Sequence, residues 1–387
     1  MSKSNYENKY HNRTEMNIGI ITMHKVLNYG SALQTYALQY AVCSLNYECE
    51  IIDYCFNNRK PLKGNIGAQF INFLKNAILG FPLEKKRKKF QSFYESNYRL
   101  SKFQYNSITI KQHPPQYDIY MVGSDQVWNP IHINGDDIFL LSFVDETRPK
   151  VSYASSFATT ALPDKQIGMY KKYLSRFNSI SVREIQGKEI ISKLINRDAF
   201  VACDPTLLLP INVWDNISAQ SNLKLPPQYI LVYELNYMFD PYPEIVHIIN
   251  EVQKQLALPI VFLDGRKEYT FFRNSRLIKS SGPSDFINLI KNASFVITTS
   301  FHGTIFSTLY DKPLYGVVKN MEDRDSRIKS YLHKVGGHNS IISYNESRNC
   351  DKKQLLNLKV NQILIEQYRE ESLLYLKEIL AVVSNNC

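Results

Sequence analysis

The segment Phe295–Thr304 places a histidine among small polar residues, where a predicted strand runs directly into a predicted helix. His302 and Gly303 lie at that junction. Free backbone N–H groups and the helix dipole favour an anion there, and a glycine permits its close approach. A histidine at such a point can donate a proton or a hydrogen bond. A histidine that caps a helix beneath the sheet is the alternative, and residue types alone do not separate the two.

Arg183 follows the apolar run Ser179–Val182, at the expected carboxyl edge of a parallel sheet. Ligands of α/β proteins bind at that edge. The planar guanidinium can hold a carboxylate or a phosphate through two parallel hydrogen bonds. The alternative is a local ion pair with Glu184 or Glu189.

A third segment, Val122–Pro130, opens from a predicted strand into a turn that is rich in small polar residues. Asp125 could serve there as a base, and Trp128 could stack on a sugar ring. An Asp/Asn turn anchored by a tryptophan is the equally plausible structural interpretation. The first βα loop, Asn28–Ser31, could hold a phosphate, but it lacks both the GxGxxG and the Walker spacing. A dinucleotide or P-loop nucleotide site is therefore disfavoured.

Alternating strand and helix patterns position these segments. The apolar run Asn17–Met23, a helix with Ser31 as its N-cap, and a second strand at Glu50–Tyr54 predict a parallel βαβ unit. The alternation restarts after a polar, proline-containing stretch at Ser218–Gln228. We therefore expect a disordered leader at 1–15, an N-terminal domain at 16–217, a linker at 218–228 and a C-terminal domain at 229–387, with a ligand cleft between the domains.

Short apolar runs predict further strands, and helical spacing predicts the helices between them. The predicted strands are Ile119–Gly123, Lys150–Ser155, Ser179–Val182, Phe200–Cys203, Ile230–Glu234, Ile260–Leu263, Phe295–Thr298 and Leu314–Val318. The predicted helices include Lys188–Ile195, Tyr242–Leu256, Ser284–Asn292, Thr304–Tyr310 and Ser326–Val335.

The composition is that of a globular protein: 387 residues, 44% hydrophobic and 21% charged, with a net charge of +10. A basic balance favours a polyanionic partner, but no zinc-finger or RNP pattern supports nucleic-acid binding. The six cysteines form no CxxC pair, so neither a zinc site nor a disulfide framework is expected. The polar segment 1–15 is no signal peptide, and long uncharged stretches are interrupted by polar residues. We therefore expect a cytoplasmic protein.

Six segments occur along the chain in a recognisable order: NIGIITMHKVLNYGSALQTYALQYAV, YDIYMVGSDQVWNP, VSYASSFA, SVREIQGKEI, DPTLLL and TTSFHGTIFSTLYDKPLYGV. Together, over Asn17–Val335, they resemble the polysaccharide pyruvyl transferase family. The resemblance implies an α/β fold with two Rossmann-like domains facing a cleft, similar to GT-B glycosyltransferases. It also implies transfer of the pyruvyl group of phosphoenolpyruvate onto two hydroxyls of a sugar, with formation of a ketal and release of phosphate.

The same resemblance implies roles for individual residues. Arg183 and His302 match positions that the family uses for phosphoenolpyruvate, and we predict His302 as the acid and phosphate contact. Asp125 is predicted to deprotonate the acceptor. The family often has an arginine two residues before the histidine, where this chain has Ser300. Either another cation, Arg324 or Arg327, replaces that arginine, or donor binding differs. The scheme requires no metal and no cofactor. The other predicted substrate-binding residues are Asn28, Tyr29, Gly30, Ser124, Gln126, Trp128, Ser155, Ser300, Gly303 and Thr304.

Two other functions share the expected architecture. A GT-B glycosyltransferase would need a surface for the ribose and base of a nucleotide sugar, to which Glu322 and Asp325 could contribute, although nothing marks them. A non-catalytic glycan-assembly protein would retain the fold without the chemistry, and Ser300 is the only feature that points to it.

The segment Ile66–Tyr98 joins an apolar, aromatic stretch to the basic run Lys85–Lys89. Apolar groups beside clustered cations suit an anionic membrane surface. We predict that this segment docks the protein at the inner leaflet, beside a polyprenyl-diphosphate-linked sugar acceptor. The alternative is an amphipathic helix that covers the N-terminal sheet and keeps its cations in solvent.

Overall fold

The structure is a computed structural model, and it describes residues 16–56, 82–236, 239–322, 326–346, 348 and 350–384. The expected leader at 1–15, the first part of the predicted membrane segment (66–81), and residues Arg324 and Asp325 lie outside the described residues.

Five parallel strands form the N-terminal sheet in the order β3-β2-β1-β4-β5, which is the strand order of a Rossmann half. Two short strands, β6 and β7, pair with each other and continue the sheet beyond β5 through bridges such as Ser155 to Val182. The strands are β1 Asn17–Ile21, β2 Glu48–Tyr54, β3 Leu100–Tyr105, β4 Ile119–Gly123, β5 Lys150–Tyr153, β6 Ser181–Val182 and β7 Phe200–Val201.

Six parallel strands form the C-terminal sheet in the order β10-β9-β8-β11-β12-β13, again a Rossmann order. The strands are β8 Ile230–Tyr233, β9 Ile260–Leu263, β10 Ser275–Ile278, β11 Phe295–Thr298, β12 Leu314–Val318 and β13 Ile341–Ser343. The expected α/β fold with two Rossmann-like domains is thus confirmed.

Helices connect these strands, as parallel pairing requires. They are α1 Tyr29–Ser44, α2 Pro82–Asn97, α3 Thr109–Gln112, α4 Pro130–Ile133, α5 Asp164–Leu174, α6 Ile185–Ile195, α7 Pro205–Leu208, α8 Ile211–Ser218, α9 Ile245–Leu256, α10 Pro283–Lys291, α11 Phe301–Leu309, α12 Arg327–Lys334, α13 Lys352–Leu356 and α14 Gln362–Ser384. Short 3₁₀ turns lie at Ile138–Leu140, Lys267–Phe271 and His338–Ser340.

The start of α1 differs from the prediction. The helix begins at Tyr29, and its N-cap is Asn28, whose side chain accepts a hydrogen bond from the backbone N–H of Ser31 at 3.1 Å. Ser31 was therefore wrongly predicted as the cap. It lies inside the first turn instead, and its hydroxyl is directed elsewhere.

The two halves share one continuous apolar core. The ring of Tyr29, at the start of α1, stacks on Phe286 of α10 with 4.9 Å between ring centroids. The C-terminal helix α14 also returns to the N-terminal half, where Tyr375 stacks on Phe200 and the Ser372 hydroxyl accepts from the Cys203 backbone N–H. The predicted boundary, which assigned all of 229–387 to the C-terminal domain, needs this correction because α14 packs on both halves.

Helix α2 contains the basic run. It buries Phe90, Phe93 and Tyr94 against the core, as an amphipathic surface helix does. Its Lys85 and Lys88 are exposed. Among the helices that the structure describes, none is both long and apolar enough to cross a membrane.

Candidate functional site

Charged side chains from both halves meet in one buried cluster. Asp125 follows β4, Arg183 follows β6, and Asp204 follows β7, so all three stand at carboxyl ends of strands in the N-terminal half. His302 is the second residue of α11 and comes from the C-terminal half. All four side chains are buried. The topology thus brings together residues that are far apart in the chain, at the edge where α/β folds bind ligands.

The guanidinium of Arg183 is only partly used by the protein. Its Nη1 donates to Oδ2 of Asp204 at 2.8 Å, and its Nη2 is 3.7 Å from Oδ1 of Asp125. Its Nε and Nη2 are shielded from solvent and have no hydrogen-bond partner among the described residues. Nearly all buried donors in proteins are paired. Two neighbouring unpaired donors on one guanidinium can bind the two oxygens of an oxyanion.

Arg183 does not form the local ion pair with Glu184 that was the alternative prediction. Glu184 Oε1 instead accepts hydrogen bonds from the Ser156 hydroxyl and from the backbone N–H groups of Phe157 and Ala158. Glu184 thereby holds the loop after β5 beside the arginine. Arg183 is instead directed at Asp204 and Asp125. Burial alone would lower the pKa of Arg183, but the negative charges of Asp204 and, to a lesser extent, Asp125 raise it overall.

Asp204 is the carboxylate that connects the two halves. It is the N-cap of α7, and its Oδ1 accepts from the backbone N–H and the hydroxyl of Thr206. Its Oδ2 contacts both Arg183 and His302. Burial would raise the pKa of Asp204, but His302, Arg183 and the Thr206 hydrogen bond outweigh burial and hold the pKa well below the usual range. Asp204 is therefore a charged, fixed acceptor.

His302 lies between Asp204 and the start of α1. Its Nε2 is 3.3 Å from Oδ2 of Asp204, an ion-pair distance at which the two groups are not aligned as a hydrogen bond. Its other ring nitrogen, Nδ1, lies against Gly30, where a Cβ would come within 1.9 Å of it. Only a glycine at position 30 allows the imidazole to occupy this place.

Asp125 is held by the first turn of α1. Its Oδ2 accepts from the Ser31 hydroxyl at 2.5 Å, and its Oδ1 accepts from the backbone N–H of Gln126. Burial would raise the pKa of Asp125, but the charges of Arg183 and His302 and the Ser31 hydrogen bond lower it overall. A carboxylate with a lowered pKa is a weak base and a stable negative charge.

Two cations lie over one aromatic ring at the C-terminal side of the cluster. The guanidinium carbon of Arg183 is 4.7 Å from the centre of the Phe301 ring, and that of Arg327 is 5.4 Å from the same centre. Arg327 thus lies near Arg183, and its role as a replacement for the arginine missing at position 300 stays a prediction. Ser300 itself is the N-cap of α11, where its hydroxyl accepts from the Gly303 backbone N–H.

Several predicted substrate contacts are structural residues instead. Trp128 is completely buried and donates its indole N–H to the Phe139 carbonyl, so its predicted stacking on a sugar is wrong. Other buried side chains bond within the protein: Ser124 to the Ala154 carbonyl, Ser155 to the Val122 carbonyl, Gln126 to Asn129, and Thr304 to the Ser300 carbonyl.

Three more predicted contacts also have structural roles. Tyr29 is buried and donates its hydroxyl to Asp264 of the C-terminal half, while Asn28 caps α1. Gly303 packs closely on Thr298, whose hydroxyl oxygen would be 2.6 Å from an added Cβ. The compact backbone at each helix start, rather than these side chains, shapes the site.

Two residues that contact the site charges, Asp204 and Ser31, were not predicted to do so. Asp204 lies in the segment DPTLLL, where an aspartate followed by proline is typical of a helix N-cap. Its second oxygen, which contacts Arg183 and His302, has no local signal. Ser31 was interpreted as a cap because serine favours that position. Its bond to Asp125 joins residues 94 positions apart and is visible only in three dimensions.

A separate cavity of about 910 Å³ lies at the other edge of the N-terminal sheet. Its lining includes the starts of β1 and β2 and the residues before β4, among them Asn17, Glu48 and Tyr117. None of the predicted site residues contributes to it. Within the described parts of the chain, no group of three or more His, Cys, Asp or Glu side chains could hold a metal ion.

Comparison with known proteins identifies the family. The sequence profile of the family described as "Polysaccharide pyruvyl transferase" matches residues 28–318, three quarters of the chain. The chain belongs to this family. The matched region contains all four residues of the buried cluster, as well as Gly30 and Ser31. A search of curated protein sequences finds no significant match.

Solved structures similar to this pyruvyl transferase family member include epimerases and glycosyltransferases of the GT-B type. A putative UDP-N-acetylglucosamine 2-epimerase from Listeria monocytogenes is 11% identical, with a TM-score of 0.53 over 93% of this chain and 91% of that chain. UDP-GlcNAc 2-epimerase from Methanocaldococcus jannaschii is 14% identical, with a TM-score of 0.50 over 92% and 93%. At these identities the likeness shows the fold alone, and it confirms the GT-B-like architecture.

Proposed function

We propose that this protein transfers the pyruvyl group of phosphoenolpyruvate onto two hydroxyls of a sugar in a surface polysaccharide or its lipid-linked precursor. The products are a pyruvate ketal and inorganic phosphate. Family membership supports a transferase that acts in polysaccharide modification. The observation that supports this donor is the pair of buried, unpartnered donors on Arg183, Nε and Nη2.

Phosphoenolpyruvate suits those donors because it carries a carboxylate and a phosphate on adjacent positions of a three-carbon skeleton. The Nε–Nη2 edge of Arg183 presents two N–H groups, which match the two oxygens of one such group. We assign the second anionic group to Arg327, whose guanidinium carbon lies 5.4 Å from the centre of the Phe301 ring that Arg183 also contacts. Both contacts need a ligand that enters between the halves.

The reaction balances without an oxidant, a reductant or a cofactor. A proton adds to the methylene carbon of phosphoenolpyruvate while the first sugar hydroxyl forms a bond to the adjacent carbon and loses its proton. The second hydroxyl then forms the other C–O bond, and phosphate leaves with the proton of that hydroxyl. The protein must supply the first proton and stabilise the charge that develops on the central carbon.

The cluster offers a residue for each requirement. We assign the first proton to His302, the residue of the cluster that can hold a proton near neutral pH. We assign the stabilising negative charge to Asp125, because its lowered pKa keeps it ionised. That assignment replaces the predicted role of Asp125 as a base, for which a raised pKa would be better suited.

The acceptor is proposed to be linked to a polyprenyl diphosphate at the cytoplasmic face of the membrane. The basic surface of α2 supports this proposal, since Lys85 and Lys88 are exposed and adjacent to the core-facing residues of the same helix. Cations at a surface of this kind are attracted to anionic lipid.

The decisive experiment is incubation of the purified protein with phosphoenolpyruvate, with and without candidate glycans, while free phosphate and ketal formation are measured. We expect phosphate release that depends on the acceptor. Calorimetric titration with phosphoenolpyruvate should show binding that Arg183→Lys weakens. Arg87→Lys is the matched control, because Arg87 is exposed and pairs only with Glu84 in the described structure.

The glycosyltransferase alternative makes the opposite prediction for the same protein. A nucleotide sugar, rather than phosphoenolpyruvate, would then bind, and a nucleoside diphosphate would be released. Failure of phosphoenolpyruvate to bind the wild-type protein, together with binding of a UDP-sugar, would reject the proposed donor.

A further inference from the structure

We propose that Asp204 is a positioning residue that holds Nε2 of His302, that the missing side chain of Gly30 lets the ring reach this position, and that Nδ1 is the nitrogen that acts on the substrate. The inference rests on the proposed function for the identity of the reaction. It concerns a cross-domain pair, since the carboxylate comes from the N-terminal half and the imidazole from the C-terminal half.

The first argument is the direction of the imidazole. Nε2 faces Asp204 at 3.3 Å and is shielded from solvent, although 9% of the His302 side chain is exposed. The exposed fraction therefore lies on other atoms of the ring. Catalytic hydrogen bonds are commonly long before a ligand is bound and shorten in the complex. The contact with Asp204 is thus one that a bound ligand can shorten to a hydrogen bond.

The second argument is the state of Asp204. Three of its contacts, from the Thr206 N–H, the Thr206 hydroxyl and Arg183, fix its position within the N-terminal half. A fixed carboxylate accepts the Nε2 proton and selects the tautomer that carries hydrogen there. Nδ1 is then the nitrogen that gains and loses the catalytic proton.

The third argument is the close approach of the imidazole to Gly30. A Cβ at position 30 would lie 1.9 Å from Nδ1 and 2.6 Å from Cε1 of His302. Any side chain there would displace the ring from its contact with Asp204. Gly30 therefore makes room for the ring itself, at the start of a helix whose N–H groups also favour an anion.

Nuclear magnetic resonance tests the pair without any turnover. In wild-type protein with labelled histidine, neutral His302 should carry its proton on Nε2. Asp204→Asn should reduce the fraction of neutral rings that carry the proton on Nε2, because an amide oxygen is a weaker acceptor than a carboxylate. The other charged groups around the ring are Arg183, Asp125 and Arg327, and all three remain in both proteins. The signals of His24, which contacts Asp53, serve as the internal control.

A proton on Nδ1 of neutral His302 in the wild type, or a tautomer ratio that Asp204→Asn leaves unchanged, would overturn the proposed pair. Either result would do so whether or not the protein turns over phosphoenolpyruvate. Conversely, a confirmed pair in a protein that does not bind phosphoenolpyruvate would reject the proposed function and leave the pair intact.

The pH profile supplies a second readout. An acid must be protonated to act, so turnover should decline at high pH. In Asp204→Asn that decline should begin at lower pH than in the wild type, because the variant lacks a negative charge beside the imidazole. A purely structural role for Asp204 would reduce the amount of folded enzyme without moving the profile.

Gly30→Ala tests whether turnover depends on the position of the His302 ring. We expect turnover to fall at least tenfold, with a smaller effect on phosphoenolpyruvate binding, since Arg183 is retained. Gly168→Ala is the matched control, because an added Cβ there meets no atom within 4 Å. Wild-type turnover in folded Gly30→Ala would contradict the role assigned to Gly30.

Discussion

Among the polar contacts that join the halves of this protein, two sets differ in how completely their atoms are paired. The first is the buried cluster of Asp125, Arg183, Asp204 and His302. The second, here called the lateral bridge, consists of Tyr29, Lys86 and Asp264 together with Lys89 and Asp285. In the bridge, Tyr29 and Lys86 both donate to Oδ2 of Asp264, at 2.8 and 2.5 Å.

Every charged group of the lateral bridge has a partner. Lys89 contacts Asp285 at 2.7 Å, and Asp285 also accepts from the Gly282 backbone and the Ser221 hydroxyl. Burial, followed by the charge of Asp264, raises the pKa of Tyr29 far above its usual value and keeps the phenol neutral. The cluster, in contrast, retains unpaired donors on Arg183. The difference indicates that the bridge holds the halves together, whereas the cluster is arranged for a ligand.

The largest effect is expected from His302→Ala. Loss of the proposed proton donor should reduce turnover by about 10²–10⁴-fold, the usual contribution of a general acid. Phosphate release from phosphoenolpyruvate measures it. A folded His302→Ala protein with near-normal turnover would show that the cluster, like the bridge, is structural.

Arg183 distinguishes the two kinds of contact most directly. Arg183→Lys keeps the positive charge but loses the paired N–H donors, so we expect weaker binding of phosphoenolpyruvate with little loss of stability. Arg183→Ala leaves two buried carboxylates without their cation and should destabilise the fold by about 3–5 kcal/mol. Calorimetry and thermal denaturation measure the two effects.

The opposite result would show that Arg183 has a structural role. In that case Arg183→Lys would bind phosphoenolpyruvate normally, whereas Arg183→Ala would unfold.

Lys86→Met tests the lateral bridge. The Met side chain retains the apolar stem, and Asp264 keeps its hydrogen bond from Tyr29. We expect a loss of about 1 kcal/mol in the free energy of unfolding, since the ion pair is partly exposed. Turnover should stay within twofold of the wild type. Lys85→Met is the exposed control, and a large loss of turnover in Lys86→Met alone would give the bridge a functional role.

The smallest effect on the isolated enzyme is expected from Lys85→Gln combined with Lys88→Gln. These exposed cations belong to the same helix as the bridge lysines, and each should contribute about 1 kcal/mol to binding of anionic lipid. Co-sedimentation with anionic and neutral vesicles at low and high salt measures this binding of lipid. We expect salt-sensitive binding of the wild type to anionic vesicles that falls in this variant.

The reference variant is Lys86→Gln combined with Lys89→Gln, which removes the same charge from bridge positions. Wild-type protein that remains in the supernatant with anionic vesicles at low salt would reject membrane docking.

The apolar pattern of the sequence predicted the central strands of both sheets well. Strands β4, β9, β11 and β12 have the predicted bounds. The three unpredicted strands, β3, β10 and β13, all lie at sheet edges. An edge strand pairs on one side only and needs less apolar surface, as the largely exposed or half-buried residues of β3 and β10 show. Their pairing depends on neighbours far away in the chain.

The sequence by itself determined which residue types reach the carboxyl edges of the strands, because strand ends, helix caps and glycines follow from local preferences. Arg183, Asp125 and His302 were found in this way. Only the tertiary structure decided what each one contacts. It joined Asp204 to both Arg183 and His302, bound Ser31 to Asp125, buried Trp128, and gave Lys86 and Lys89 carboxylate partners. The physical reason is that burial and charge pairing are set by elements up to about two hundred residues apart, whereas local propensity extends over only a few residues.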